Sequence, residues 1–213
     1  MTELTIYGIP QSTYVRSVRM ACIEKGVPYT LEPVMPRSEA IRQLHPFGRI
    51  PALRHGDFTL YETSAILRYV DEAFDGPPLQ PREPRRRAVM EQWISTINCY
   101  CDGPMIRRLV MAYVFPSGPD GKPDRAVIDP VVPEVRRQIA LIDEAMAEGP
   151  YLLGADITLP DLLLAPMMFY LAQTPEGGAV LKETRNMPRS ADAMRARRSF
   201  QETMPPPPPP KRG

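Results

Sequence analysis

His45-Pro46-Phe47-Gly48-Arg49-Ile50-Pro51-Ala52-Leu53, followed by Leu60-Tyr61-Glu62-Thr63-Ser64-Ala65-Ile66-Leu67-Arg68-Tyr69, decides how the chain is read. Ala52-Leu53-Arg54 and Phe58-Thr59-Leu60-Tyr61 flank the turn His55-Gly56-Asp57, the pattern of an antiparallel hairpin. A helix is predicted from about Thr63 to Phe74. Pro51 stands where a strand begins, and a proline there removes a ladder hydrogen bond. Two readings follow. Pro51 is a trans residue on an edge strand, or a cis Ile50-Pro51 bond turns the Ile50 amide and carbonyl outward to pair with a bound peptide. Glu62 and Thr63 open the next helix. A helix N-terminus with a hydroxyl suits a carboxylate, and a neighbouring carboxylate attracts an ammonium group. Together they suit the α-carbon end of an amino acid; taken singly they are ordinary N-cap choices.

Outward from this stretch, Leu4 to Tyr7 is an apolar, β-branched run ending at Gly8, a predicted strand. Val15, Val18, Cys22 and Ile23 recur at helical spacing from about Tyr14, with Gly26 placed as the C′ glycine. Tyr29 to Val34 alternates into a second strand, and residues 37 to 45 leave room for a short helix. Ser12 lies between the first strand and the first helix. It reads equally as an N-cap and as a hydroxyl able to donate to a thiolate, helped by the positive end of the helix.

Asp75-Gly76-Pro77-Pro78, with Pro81 and Pro84, reads as a linker. The expected organisation is a first domain over 1–76, a linker over 77–83, an all-helical domain over 84–203 and a proline-rich tail over 204–213. In the helical part, Arg87 to Val114 carries a long pattern bent at Gly103-Pro104, and residues 116–130 read as an exposed loop. Val132, Val135, Ile139, Ile142 and Met146 mark an amphipathic helix. Thr158-Leu159-Pro160-Asp161 has helix-start chemistry, and residues 188–203 read as one more short helix.

The chain has 213 residues, a formal net charge of +1, and 27 prolines, six of them in the run Pro205 to Pro210. The balanced charge excludes nothing locally but argues against nucleic acid or a membrane surface as the partner. Arg85 to Arg87 and Arg195, Arg197 and Arg198 read as solvated helix faces. The most apolar stretch, Leu162 to Ala172, is about half the ~20 residues a bilayer span needs. Three cysteines, Cys22, Cys99 and Cys101, make no disulfide framework, and the N-terminus shows no secretory pattern; a reducing, cytoplasmic setting is expected. Cys99-x-Cys101 points to two faces of a helix without a histidine cluster, so no metal is expected. The proline run should form polyproline II, either a free solubilising tail or a ligand for a proline-recognition partner.

The quoted stretch resembles the glutathione transferase pattern NPFG-x-VPAL…LxES-x-AIxxY, and Tyr7-Gly8-Ile9-Pro10-Gln11-Ser12-Thr13 with Arg16 and Val18 resembles the serine-type phi and theta classes. The likeness covers residues 2 to 74 well and extends to the Thr158-to-Asp161 capping motif. It implies a thioredoxin-like α/β domain, with a mixed four-stranded sheet and a cis proline, joined to an all-α domain. It implies glutathione as co-substrate and Ser12 as donor to its thiolate. Ile50 before Pro51 would pair with the cysteinyl unit, Glu62 and Thr63 would hold the γ-glutamyl group, and Arg37 or Arg49 would reach the glycine carboxylate. Tyr14, Met105, Leu109, Val110 and Tyr113 are candidates to meet a hydrophobic electrophile. Thr63 replaces the usual serine and keeps the hydroxyl. Tyr14 occupies the cysteine position of zeta-type isomerases, and no cysteine occupies positions 12 or 13, which disfavours those members and the omega and lyase types.

The leading expectation is a cytoplasmic, homodimeric detoxification enzyme that conjugates the glutathione thiolate to hydrophobic electrophiles. A non-catalytic binding or dimerisation module on the same fold is the alternative from another class. Glutathione-dependent peroxidase or dehalogenase activity keeps the cofactor and changes the reaction.

Overall fold

A computed structural model of the chain describes residues 3–206. The described chain divides into two units: residues up to Pro77 together with those from Ala196 onward, and Pro78–Arg195.

The first unit is built on four short strands, β1 (Leu4–Tyr7), β2 (Thr30–Glu32), β3 (Ala52–His55) and β4 (Phe58–Tyr61), in the order β2-β1-β3-β4. β1 and β2 are parallel, which requires a crossover, and α1 (Thr13–Lys25) supplies it. β1 pairs antiparallel with β3, and β3 with β4 across the Gly56 turn. The result is the thioredoxin-like mixed sheet. Ile6 faces Leu53 across one pairing and Leu53 faces Leu60 across the next. α1 ends as its sequence predicts, with Gly26 at φ 71° and its amide on the last turn. α2 (Glu39–Arg42) is one turn capped by Ser38, and α3 (Thr63–Ala73) packs against α1. Ile6, Val15, Val18, Met20, Leu53, Ile66, Leu67 and Val70 have no or almost no exposed surface and form this core. Burying each such side chain contributes roughly 1.5–3 kcal/mol.

The second unit is all helix. α4 (Pro84–Thr96) starts under the Glu83 carboxylate, which accepts from the Arg85 and Arg86 amides. It runs directly into a wider, π-wound segment over Ile97–Val110 and then α5 (Met111–Val114). The predicted bend at Gly103-Pro104 is thus taken up as a change of winding. Pro104 has no N–H to return to the preceding turn. One turn away, the Tyr100 carbonyl accepts a side-chain hydrogen bond from Gln138 Nε2 at 2.8 Å. The expected loop over 116–130 contains α6 (Arg125–Ile128). Next come α7 (Val132–Ala145), α8 (Leu159–Leu171), α9 (Pro175–Lys182) and α10 (Met187–Arg195). α9 went unpredicted because Pro175 and the pair Gly177-Gly178 read as breakers. Pro175 occupies the first turn, where its missing N–H costs nothing, and Thr174 caps the Gly177 amide.

Two boundaries differ from those expected. The linker over 77–83 is not free chain. Leu79 is 1% exposed, and its carbonyl accepts the Leu159 amide at 3.1 Å. The expected single helix over 188–203 is two, α10 and α11 (Arg198–Glu202), and α11 packs on α1 in the first unit. Arg197 donates to Glu24 Oε1 at 2.7 Å, and Ser199 also donates to Glu24. Phe200, 8% exposed, lies 5.2 Å from the guanidinium of the fully buried Arg16. Residues 204–206 of the proline-rich tail are described; the rest of that expectation lies outside the described residues.

The start of α8 is held by Asp161, 3% exposed. Its carboxylate accepts the Leu152 amide, the Thr158 amide and the Thr158 hydroxyl, each at 2.8 Å. Burial nevertheless pushes its pKa up to about 6, against the pull of those bonds. Asp161→Ala is expected to lower unfolding free energy by about 3 kcal/mol, since three buried donors lose their acceptor. Urea unfolding followed by circular dichroism measures it.

Burial works to raise the Glu24 pKa, and the bonds from Arg197 and Ser199 overcome it and hold the carboxyl below its ordinary value. The ionised form therefore stabilises the docked α11 above the unfolded carboxylate pKa of about 4, and that contribution is lost as pH falls through the lower folded value. Glu24→Ala is expected to speed tryptic cleavage at Arg197 and Arg198 about tenfold or more at neutral pH, because the undocked population rises. Timed digestion with mass spectrometry reads it.

Candidate functional site

Strand register determines which segments meet. Tyr7 pairs with Ala52, and Ala52 pairs with Tyr61. The residues following β1, preceding β3 and following β4 therefore emerge at one end of the sheet. Ser12, Ile50-Pro51 and Glu62-Thr63 come from those three segments. Gly8 makes the close approach possible: a Cβ there would lie 2.5 Å from Val15 Cγ2 and 3.2 Å from Ile50 Cβ.

Ser12 is half-buried at the N-cap of α1, and its Oγ accepts the Val15 amide at 3.4 Å. Accepting through a lone pair leaves the hydroxyl proton available to donate. The two sequence readings of Ser12 are therefore compatible. The Ile50-Pro51 bond is cis. Glu62 has φ 71° and ψ 114°, a conformation rare for a residue with a side chain, and it makes no side-chain cap on α3. Thr63, 8% exposed, is the first residue of that helix. The first amides of α3 thus lack a capping carboxylate and face the sheet end that Ser12 shares. The positive φ at Glu62 is the feature that sequence reasoning missed, since glutamate carries no preference for it.

The rim is basic. Arg37, at φ 67°, donates its amide to Gly48 O at 2.8 Å and accepts Arg42 Nε at 3.2 Å on its carbonyl. Arg37 and Arg49 are both exposed. Behind them His45, 2% exposed, was absent from the sequence-based set. Its Nδ1 accepts the Phe47 amide at 3.2 Å, its Nε2 lies 3.9 Å from Glu62 Oε1, and the Tyr61 ring stands 4.8 Å away. Burial lowers the His45 pKa, Glu62 opposes that, and Arg49 reinforces it. The signal was visible: His45 occupies the asparagine position of the quoted pattern.

The remaining candidates divide between the units. Tyr14 is half-buried in the first. In the second, Met105 and Leu109 have no exposed surface and Val110 has 4%, so they serve as core there. Tyr113 is half-buried and donates to Glu176 Oε2 at 2.7 Å; burial first, and that bond next, raise its pKa. Among the described residues no cluster of three or more histidine, cysteine, aspartate or glutamate side chains could hold a metal ion. None of their helices is long and apolar enough to cross a membrane.

Burial pushes the Cys22 thiol up to about 12, a backbone hydrogen bond opposing it, and the Cys101 thiol to about 11, with Asp102 and Glu134 adding to the effect. Neither is expected to alkylate with iodoacetamide in native protein at pH 8, while both react after denaturation. Peptide mass spectrometry distinguishes the two states.

Comparison with known proteins gives a consistent set of relatives. The model described as glutathione S-transferase, N-terminal domain, matches residues 6–78, and that of the C-terminal domain matches residues 105–188. The chain is 30% identical over 211 residues to glutathione S-transferase 3 of Zea mays, covering 96% of this chain and 94% of that protein. Poplar glutathione transferase F1 shares the fold with a TM-score of 0.84 at 26% identity, covering 95% of this chain and 97% of the other. A theta-class glutathione S-transferase from Xanthomonas axonopodis pv. citri, solved with glutathione bound, matches with a TM-score of 0.78 at 27% identity, covering 95% and 97%.

Proposed function

The chain belongs to the glutathione S-transferase family, and we propose that it is a serine-type member that conjugates the glutathione thiolate to hydrophobic electrophiles. The observation that carries this reading is the convergence of Ser12, cis Ile50-Pro51 and Glu62-Thr63 at one end of the sheet.

Glutathione lies with its cysteinyl unit along Ile50, its γ-glutamyl ammonium against Glu62, and its γ-glutamyl carboxylate against Thr63 and the first amides of α3. Arg49 or Arg37 meets the glycine carboxylate. The thiol, with a reference pKa near 8.5, loses its proton to solvent. The resulting thiolate accepts a hydrogen bond from Ser12 Oγ–H and feels the positive end of α1. Lowering the thiol by about two pKa units corresponds to ~2.7 kcal/mol, within reach of one charge-assisted hydrogen bond and a helix dipole. The thiolate sulfur then attacks an electrophilic carbon; the C–S bond forms and the leaving group departs with its electron pair. Positioning both reactants supplies much of the acceleration. Tyr14, which retains accessible surface in the first unit, is the stronger candidate to meet the electrophile.

A two-fold homodimer is part of this reading. Its support is an edge strand, β4, on which Phe58 and Tyr61 are exposed, beside a Phe47 that is 73% exposed.

Ser12→Ala is expected to reduce kcat/KM for conjugation of a chlorinated aromatic by about tenfold or more, with glutathione affinity nearly unchanged. Ser12→Thr, which keeps both cap and hydroxyl, restores most of the loss. Unchanged turnover in the alanine variant would reduce Ser12 to a helix cap.

A further inference from the structure

We infer that His45 is a positioning residue for glutathione, tying the loop that carries Ile50 to the carboxylate of Glu62 and making glutathione affinity depend on its own protonation state. The inference rests on the glutathione reading above and adds to it a residue and a pH response.

His45 is 2% exposed, although it belongs to a loop whose next two residues, Pro46 and Phe47, are exposed. One of its ring nitrogens is held by a hydrogen bond and the other faces a carboxylate. Nδ1 accepts the Phe47 amide at 3.2 Å, and an accepting nitrogen carries no proton. In the neutral ring the proton therefore sits on Nε2, which faces Glu62 Oε1 at 3.9 Å, an electrostatic contact beyond hydrogen-bond range. The tilted Tyr61 ring at 4.8 Å and the edge-on Phe47 ring at 6.1 Å hold the imidazole plane. One side chain thus supports the start of the Phe47-to-Pro51 segment and faces the carboxylate at the other end of the tripeptide site.

Protonation abolishes the first role and over-strengthens the second. A second proton can enter only at Nδ1, where it meets the Phe47 N–H donor to donor, so the loop loses its internal acceptor. The cationic ring then competes with the γ-glutamyl ammonium for Glu62. The charged groups facing the ring are Glu62, from the turn before α3, and Arg49, from its own loop; they act in opposite directions, and burial adds to the effect of Arg49 in favouring the neutral form. Neutral His45 therefore organises the site, and acid disorganises it. An asparagine at this position, as in the quoted family pattern, accepts the Phe47 amide without titrating.

The test is calorimetric titration of the full-length protein with glutathione at pH 7.5 and pH 5.5, for wild type, His45→Asn and His45→Gln. Wild-type Kd is expected to weaken about fivefold or more at the lower pH, and that of His45→Asn by less than about twofold. In turnover the wild-type acid effect falls on KM for glutathione rather than on kcat. His45→Gln provides the same readout if the asparagine variant does not fold. Equal pH dependence in wild type and the non-titrating variant overturns the inference while leaving glutathione binding intact. Absence of wild-type binding at pH 7.5 overturns the glutathione reading itself, and this inference with it.

Discussion

The antiparallel pairing of β3 with both β1 and β4 is the constraint on which the site depends. β3 is four residues long, and every residue in it has a partner on each side. A slip of one residue would turn Leu53 out of the core and bring a different residue beside Tyr61. The same slip would separate Ile50 from the end of β1 and Glu62 from Pro51. Leu53, with no exposed surface, thus secures the relative position of three functional segments without touching a ligand. Gly8 completes the arrangement, because any side chain there would drive Val15 and Ile50 apart.

Around this frame, polar groups are placed where burial would otherwise be costly. Asp161 serves three donors at the start of α8, and Gln138 donates to the Tyr100 carbonyl. Glu24 gathers Arg197 and Ser199 onto α1. The Asp161 and Glu24 carboxylates are each met by several donors inside a packed unit, which is the condition for their being tolerated there. The two carboxylates respond oppositely to acid. Glu24 loses a stabilising interaction as it protonates, whereas proton uptake relieves the desolvation that Asp161 endures when ionised.

Much of this was legible in the residues, for identifiable reasons. Period-two and helical spacing marked β1, α1, the hairpin, α3 and α7, because each buries one face. Ser12, Pro51, Glu62 and Thr63 could be singled out because they combine chemistry with a position at the end of an element. Whether Ile50-Pro51 was cis could not be read from a local pattern, since both isomers suit the start of a strand. α9 was hidden by Gly177-Gly178, whose propensity is overruled by packing; Gly177 has no room for a Cβ, which would lie 2.2 Å from Leu171 O. α11 was assigned to the wrong unit because sequence order says nothing about which surface a terminal helix returns to. His45 was passed over for a related reason. Its burial and its alignment on Glu62 exist only after the hairpin has formed.

The return of α11 to α1 has a consequence for the order in which the molecule can be completed. The first unit is discontinuous, with residues 78–195 inserted between its two parts. During synthesis the sheet and α1 leave the ribosome early, yet the face of α1 bearing Arg16 and Glu24 waits for Ser199 and Phe200 to be made. The N-terminal part is therefore the first to emerge and among the last to be sealed. A nascent chain stalled anywhere in the helical insertion would present an uncovered, partly apolar α1 to chaperones and proteases.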